Sequence, residues 1–144
     1  MPLNERSAIK AELTPSFVVH EPAQHTSPLV FCSPHSGRVY PRILLDATCL
    51  DPLSLRKSED CYVDDLFDSA MSAGAPLLEA RFPRAYLDVN REPFELDPEL
   101  FDEPLPSFAN AQTMRVIGGL GTIPRVVSEF EEIYDSPLSL AVAM

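Results

Sequence analysis

At 144 residues, with 45% hydrophobic and 23% charged side chains, the chain is long enough for one domain with a core, and disorder is excluded as its default. Twenty-two acidic residues against eleven basic ones leave a net charge of −11, which excludes the Lys/Arg surface that nucleic acids and anionic membranes select. No apolar run approaches the ~20 residues of a membrane-spanning helix, and Cys32, Cys49 and Cys61, at unrelated spacings with no secretory leader, read as reduced thiols of a soluble cytoplasmic protein.

Fifteen prolines against five glycines imply many short elements joined by rigid turns. The opening stretch MPLNERSAIKAEL is polar with weak helical spacing. Two short apolar runs follow, Phe17 to Val19 and Leu29 to Cys32, and both read as strands, the second better buried. His20 and His25 lie in or beside the polar connection between them, where a lone histidine is ordinarily a solvated loop residue. The second run leads straight into Pro34-His35-Ser36-Gly37, a tight turn that sets a histidine at the mouth of a strand. Such junctions suit chemistry, because the strand fixes the side chain while the loop lets a ligand approach.

A helix is predicted from Ser58, as N-cap, to a stop at Gly74, with Val63, Leu66, Phe67 and Ala70 recurring at i, i+3, i+4 and i+7 on its inward face. Asp60, Asp64, Asp65 and Asp68 then form its wet face. Leu77 to Ala80 reads as a strand, Phe82-Pro83-Arg84 as a turn, and Tyr86 to Val89 as a further strand ending in Asn90-Arg91. The acidic, proline-rich stretch from Glu92 to Met114 lacks periodicity and reads as a long surface loop. RVIGGLGTIPRVV has neither the GxGxxG spacing of a dinucleotide fold nor the ending of a P-loop, so nucleotide binding is not supported and a tight turn is expected. SEFEEIYDSPLSLAVAM starts as a helix, is interrupted by Pro137, and restarts with Ser136-Pro137 in the cap and first-turn positions.

Polar residues gather at the ends of these elements: His35, the pair Glu59 and Asp60, Arg84, the pair Asn90 and Arg91, and Arg115. A neutral imidazole with a carboxylate is the usual start of a zinc site, and an arginine fork matches a carboxylate ligand. The residues therefore sketch metal-assisted hydrolysis of a small acidic molecule. No HExxH or HxxE spacing supports the sketch, and a histidine that only caps its turn is the alternative.

SPHSGRVYP, SEDCYVDDLFDSA, GAPLLEARFPRAYLDVNR, ELDP and RVIGGLGTIPRVV, in this order, resemble the N-formylglutamate amidohydrolase (N-formylglutamate deformylase) family from Leu29 to Leu140. The resemblance implies an α/β fold, a mixed β-sheet with flanking helices similar to zinc carboxypeptidases (phosphorylase/hydrolase-like). It implies zinc-dependent hydrolysis of N-formyl-L-glutamate to formate and glutamate in histidine degradation; some relatives act on other N-acylated acidic amino acids. Residue by residue, it makes His35 a zinc ligand, Glu59 and Asp60 the carboxylate pair with Asp60 preferred as second ligand, and Asn90 with Arg91 the grip on the substrate carboxylate. Arg84 becomes a further candidate for that charge or for the oxyanion.

The family pattern also includes a later Asp-x-His-Ser stretch supplying a third zinc ligand and a late glutamate resembling the carboxypeptidase general base, and neither occurs here. The expectation is residues 1–28 as an N-terminal extension with the first strand, and residues 29–144 as the N-terminal part of an amidohydrolase-like domain, truncated and with zinc held weakly or not at all. No catalytic general base is assigned. A module without catalysis, retaining the Asn90-Arg91 carboxylate pair, is the rival reading, and a hydrolase of formylaspartate a third. Exposed core would then call for self-association or a covering partner chain.

Overall fold

The computed structural model describes residues 3–143, and it is a mixed α/β structure organised around a small sheet. A helix, α1 (Leu3–Glu12), precedes the first strand, β1 (Phe17–His20), whose aromatic and β-branched residues suit a pleated surface. The second strand, β2 (Phe31–Ser33), and the third, β3 (Leu77–Ala80), complete a three-stranded sheet in the order β1-β3-β2. β1 runs antiparallel to β3 with Phe17 opposite Ala80, and β2 runs parallel to it with Phe31 opposite Leu77 and Ser33 opposite Glu79. A parallel pair requires a crossover, and residues 34–76 supply it through α2 (Arg42–Ala47), α3 (Pro52–Leu55), α4 (Val63–Leu66) and α5 (Ser69–Ser72). The carboxyl ends of β2 and β3 therefore emerge at one edge of the sheet, the place where open α/β folds collect functional side chains.

Among these helices α3 follows its sequence signals most plainly. Asp51 accepts from the N–H groups of Leu53 and Ser54, and Pro52 occupies the first turn where its missing N–H costs nothing. The helix expected from Ser58 to Gly74 is broken instead. Ser58 ends a 3-10 turn (Arg56–Ser58) and its buried hydroxyl caps nothing. Tyr62, with φ of 62°, is the residue from which α4 starts, and a bend at Phe67 separates α4 from α5. Of the four periodic apolar residues only Ala70 is buried, while Leu66 is 74% exposed, so this segment lacks the packed face its spacing predicts. Gly74, at φ of 77°, does end it.

Three further expectations are corrected. Tyr86 to Val89 is no strand, because the N–H groups of Tyr86 and Leu87 turn back to the Pro83 carbonyl and that of Asp88 reaches Thr122. The stretch after Glu92 is a surface loop only in its second half, residues 102–113: the first half contains a 3-10 turn (Pro98–Leu100), and Leu96, Leu100 and Phe101 pack with Ile123 in a cluster of their own. Ser136-Pro137 starts no helix; Ser139 caps a terminal 3-10 turn (Leu140–Val142) while Leu138 bridges to Phe101.

A second cluster joins Leu44, Leu55, Ala85, Val127 and Ile133, and Tyr134 packs against both. Burying each large aliphatic side chain contributes about 1.5–3 kcal/mol, so these two clusters, which share Tyr134, hold the crossover helices α2 and α3 against the chain that follows β3. Met114 and Phe130 remain 81% and 80% exposed. Among the described residues no helix is long and apolar enough to cross a membrane.

Candidate active site

The turn after β2 is fastened by buried hydroxyls. Ser33 Oγ lies 2.8 Å from Ser36 Oγ, which donates to the Asp60 carbonyl at 2.7 Å and accepts from the Asp64 N–H at 3.3 Å. The Asp60 N–H in turn donates to the His35 carbonyl at 3.1 Å. One donor and two acceptors exhaust the capacity of the Ser36 hydroxyl, so this one side chain, together with the Asp60 N–H bond, stitches the His35 turn to the Glu59–Asp64 segment. Gly37 allows a close backbone approach here, since a Cβ at that position would collide with the Phe82 carbonyl. Arg38, at the turn's outer end, pairs with Asp64 at 2.9 Å and lies over the Tyr62 ring.

His35 is buried, and its two ring nitrogens face different carboxylates. Nε2 is 2.8 Å from Asp88 Oδ1, and Nδ1 is 3.4 Å from Asp60 Oδ2. Burial alone would raise the Asp88 carboxyl, but the His35 hydrogen bond, the Asn90 N–H and the Arg84 charge outweigh it and hold the group at about 2. An ionised Asp88 can only accept, so Nε2 carries a proton, and in the neutral imidazole that a metal requires the Nδ1 lone pair is the one left towards Asp60. Asp60, half exposed, faces that lone pair with a second electron-rich atom.

Asp88 is the hub of the site. Its Oδ2 receives Arg84 Nε at 3.0 Å and Arg91 Nη2 at 3.0 Å, and its Oδ1 also accepts from the Asn90 N–H at 2.9 Å. Arg91 is 5% exposed and donates further to the Leu120 carbonyl through Nε and to the Asn90 carbonyl through Nη1. Burial lowers its pKa, Asp88 opposes that, and Arg115 and Arg84 add to the lowering. The residue sequence reasoning missed is thus Asp88 itself; its signal was a lone acid inside the otherwise apolar Tyr86-Leu87-Asp88-Val89 stretch.

Glu59 and Asp60, adjacent in sequence, go separate ways. Glu59 accepts from the Tyr40 hydroxyl and from Arg56 Nε, and is spent there rather than beside His35. His20 pairs with Glu79 on the neighbouring strand, and His25 is an exposed loop residue. Two clefts adjoin the cluster. One, of about 300 Å³, is lined by Asp60, Glu59, Arg84 and Leu120. The other, of about 550 Å³, is polar and open, and is lined by Asn90, Arg91 and Arg115 among others.

Two ligands of a tetrahedral zinc ion at ordinary bond lengths stand about 3.4 Å apart. The His35 Nδ1 to Asp60 Oδ2 separation has that value, and the carboxylate behind Nε2 is the arrangement that orients metal-bound imidazoles. These two residues therefore fit the group, while among the described residues no set of three His, Cys, Asp or Glu side chains is arranged so that it could hold a metal ion.

The profile of the family described as N-formylglutamate amidohydrolase matches residues 27–144. The crystal structure of N-formylglutamate amidohydrolase from Ralstonia eutropha JMP134 superposes with a TM-score of 0.77 at 36% sequence identity. The match covers 88% of this chain and 44% of that one, so the chain spans less than half the length of this relative. No curated protein sequence matches the chain. Since the match spans both the histidine turn and the Asp88-Asn90-Arg91 hub as well as most of the fold, the chain belongs to the N-formylglutamate amidohydrolase family.

Proposed function

We propose that the chain carries the metal- and carboxylate-binding part of an enzyme that hydrolyses the N-formyl group of N-formyl-L-glutamate or a related N-acyl acidic amino acid. The observation that carries the reading is the relay Asp88–His35–Asp60, in which a buried, ionised acid selects the imidazole tautomer and leaves Nδ1 facing a second carboxylate at 3.4 Å. His35 Nδ1 and Asp60 Oδ2 would hold zinc, which supplies the acidification of water that such hydrolysis needs at neutral pH. Arg84, at the cleft beside Asp60, has its terminal nitrogens available for the carbonyl oxygen as charge develops there, with Nε anchored on Asp88. Asn90 and Arg91, at the open cleft, would receive the substrate carboxylate.

A second reading, a binding module without turnover, is favoured by one observation: among the described residues two donors converge where catalytic zinc ordinarily has three protein ligands. Formate release from N-formyl-L-glutamate, measured with and without added zinc, separates the two. The hydrolase reading expects zinc-dependent release that is lost in His35→Ala and Asp60→Asn. Release that survives His35→Ala overturns the metal assignment, and ligand binding without any release supports the module.

A further inference from the structure

We propose that a cavity of about 380 Å³, walled by Leu44, Leu87, Leu96, Ile123 and Leu138, binds a small neutral aromatic molecule that carries one hydrogen-bond acceptor. The cavity shares no lining residue with the two clefts beside His35, so the inference goes beyond the hydrolase reading and does not rest on it.

Close-packed interiors leave few voids larger than a water molecule, and an apolar void of about 150 Å³ already takes a benzene ring. The volume here falls in the range of small-molecule sites and has room for a two-ring compound. No charged side chain lines it. An ion would lose its hydration there and find no counter-charge, which excludes the anionic substrate of the neighbouring clefts and leaves a neutral ligand.

Two phenols set the polar requirement. Tyr86 and Tyr134 both line the cavity, and among the described residues neither hydroxyl has a hydrogen-bond partner. Burial, and after it the Glu12 carboxylate, raises the pKa of Tyr86; burial, and after it Tyr86, raises that of Tyr134. Both phenols therefore stay protonated at neutral pH and each can donate. The third polar lining residue is already engaged, since the Thr122 hydroxyl donates to the Glu92 carbonyl at 2.8 Å. A buried tyrosine hydroxyl ordinarily finds a partner, and a ligand carbonyl at the end of an apolar body supplies one.

Phe94 gives the cavity an aromatic edge. It lines the cavity while remaining 39% exposed, and its φ of 64° is a left-handed conformation that a bulky side chain rarely adopts. Its carbonyl accepts from the Asn110 N–H at 2.9 Å, and its ring meets that of Phe108 edge-on with centroids 4.9 Å apart. Backbone strain of this kind collects at ligand clamps. The stacking that a fixed ring offers favours an aromatic ligand over an aliphatic one.

Isothermal titration calorimetry on the full chain, with benzophenone and with diphenylmethane, which has the same two rings and no carbonyl, tests the assignment without zinc or turnover. Benzophenone is expected to bind about fivefold more tightly, the worth of one net hydrogen bond. Tyr86→Phe combined with Tyr134→Phe is expected to abolish that preference and leave diphenylmethane affinity unchanged. Ala47→Phe, which fills the cavity, is expected to weaken both compounds by about tenfold or more, with Ala143→Phe as a second filling variant should the first lose its circular dichroism. Ultraviolet irradiation of the benzophenone complex is expected to label peptides that contain Leu87, Leu96 or Leu138. A wild type that binds neither compound, affinity untouched by filling, labelling confined to other peptides, or a preference unchanged in the double tyrosine variant overturns the proposal.

Discussion

His35 and Asp88, 53 positions apart in sequence, meet at 2.8 Å through Nε2 and Oδ1, and that contact decides which imidazole nitrogen is free. Replacing Asp88 by Asn keeps the shape and removes the charge. Zinc affinity, measured by equilibrium dialysis, is expected to fall by about 10- to 100-fold, the usual cost of losing such a supporting partner. Urea unfolding should show a loss of about 3 kcal/mol, because the buried Arg91 guanidinium is left without its counter-charge. Unchanged zinc affinity in Asp88→Asn would remove Asp88 from the orienting role.

Gly37→Ala tests the turn from the steric side. The new methyl group meets the Phe82 carbonyl, a backbone atom that cannot swing away. The turn has to move off the Arg81-Phe82 backbone, breaking the 2.8 Å bond from the Val39 N–H to the Arg81 carbonyl. A stability loss of about 1–3 kcal/mol is expected in chemical denaturation. A variant as stable as wild type would show that the turn does not need this close approach.

Arg125 anchors the C-terminal stretch through three carboxylates, Asp97 at 2.8 Å, Glu132 at 2.7 Å and Glu99 at 3.2 Å. Only Asp97 among these acids is buried. Arg125→Ala strands that charge, and about 3 kcal/mol of destabilisation is expected by thermal or urea unfolding. Arg125→Ala in combination with Asp97→Asn should recover part of the loss, since the stranded charge is then gone. A double variant no more stable than the single one would argue against the Asp97 pair as the source.

Alkali should unfold the protein through its tyrosines. Burial raises the pKa of Tyr40, Tyr86 and Tyr134, with the Glu59 hydrogen bond adding to the rise at Tyr40. Above about pH 10 the unfolded chain ionises these phenols while the folded chain keeps them protonated. The unfolded state then binds fewer protons, so stability falls as pH rises. Tyrosinate absorbance from these residues is expected to appear together with the loss of far-ultraviolet circular dichroism. Absorbance that precedes the unfolding signal would show that the three phenols titrate in the folded state.

Elements with a strong local signal were legible in the sequence, and those shaped by distant partners were not. β1 and the turn at Pro34 to Gly37 follow from β-branched and proline-glycine chemistry that acts within a few residues. The helix predicted from Ser58 to Gly74 failed because periodic apolar residues guarantee a helix only when the face they form is covered, and Leu66 and Phe67 are not. The stretch after Glu92 was misjudged for the opposite reason: its acids and prolines hid Leu96, Leu100 and Phe101, which find their partner only in Ile123. At the candidate site the histidine, Asp60 and the two arginines stood out, yet Asp88 did not, since its importance lies in contacts with His35, Arg84 and Arg91 that no spacing rule encodes. Spacing alone does not separate Glu59 from Asp60, which only the family resemblance ranked, because adjacency hides direction, and Tyr40 and Arg56 draw Glu59 away.

The parallel pairing of β2 with β3 bears on when the site comes into being. His35 follows one strand and Asp88 the other, and the crossover between them has to be closed before either strand finds its register. Loop-closure entropy is spent before any of those contacts repays it, which places the pair among the non-local, slow-forming contacts of the fold. Competence to bind a ligand at His35 is therefore a late event in folding, and metal capture in a refolding experiment reports completion of the whole crossover rather than of the histidine turn alone.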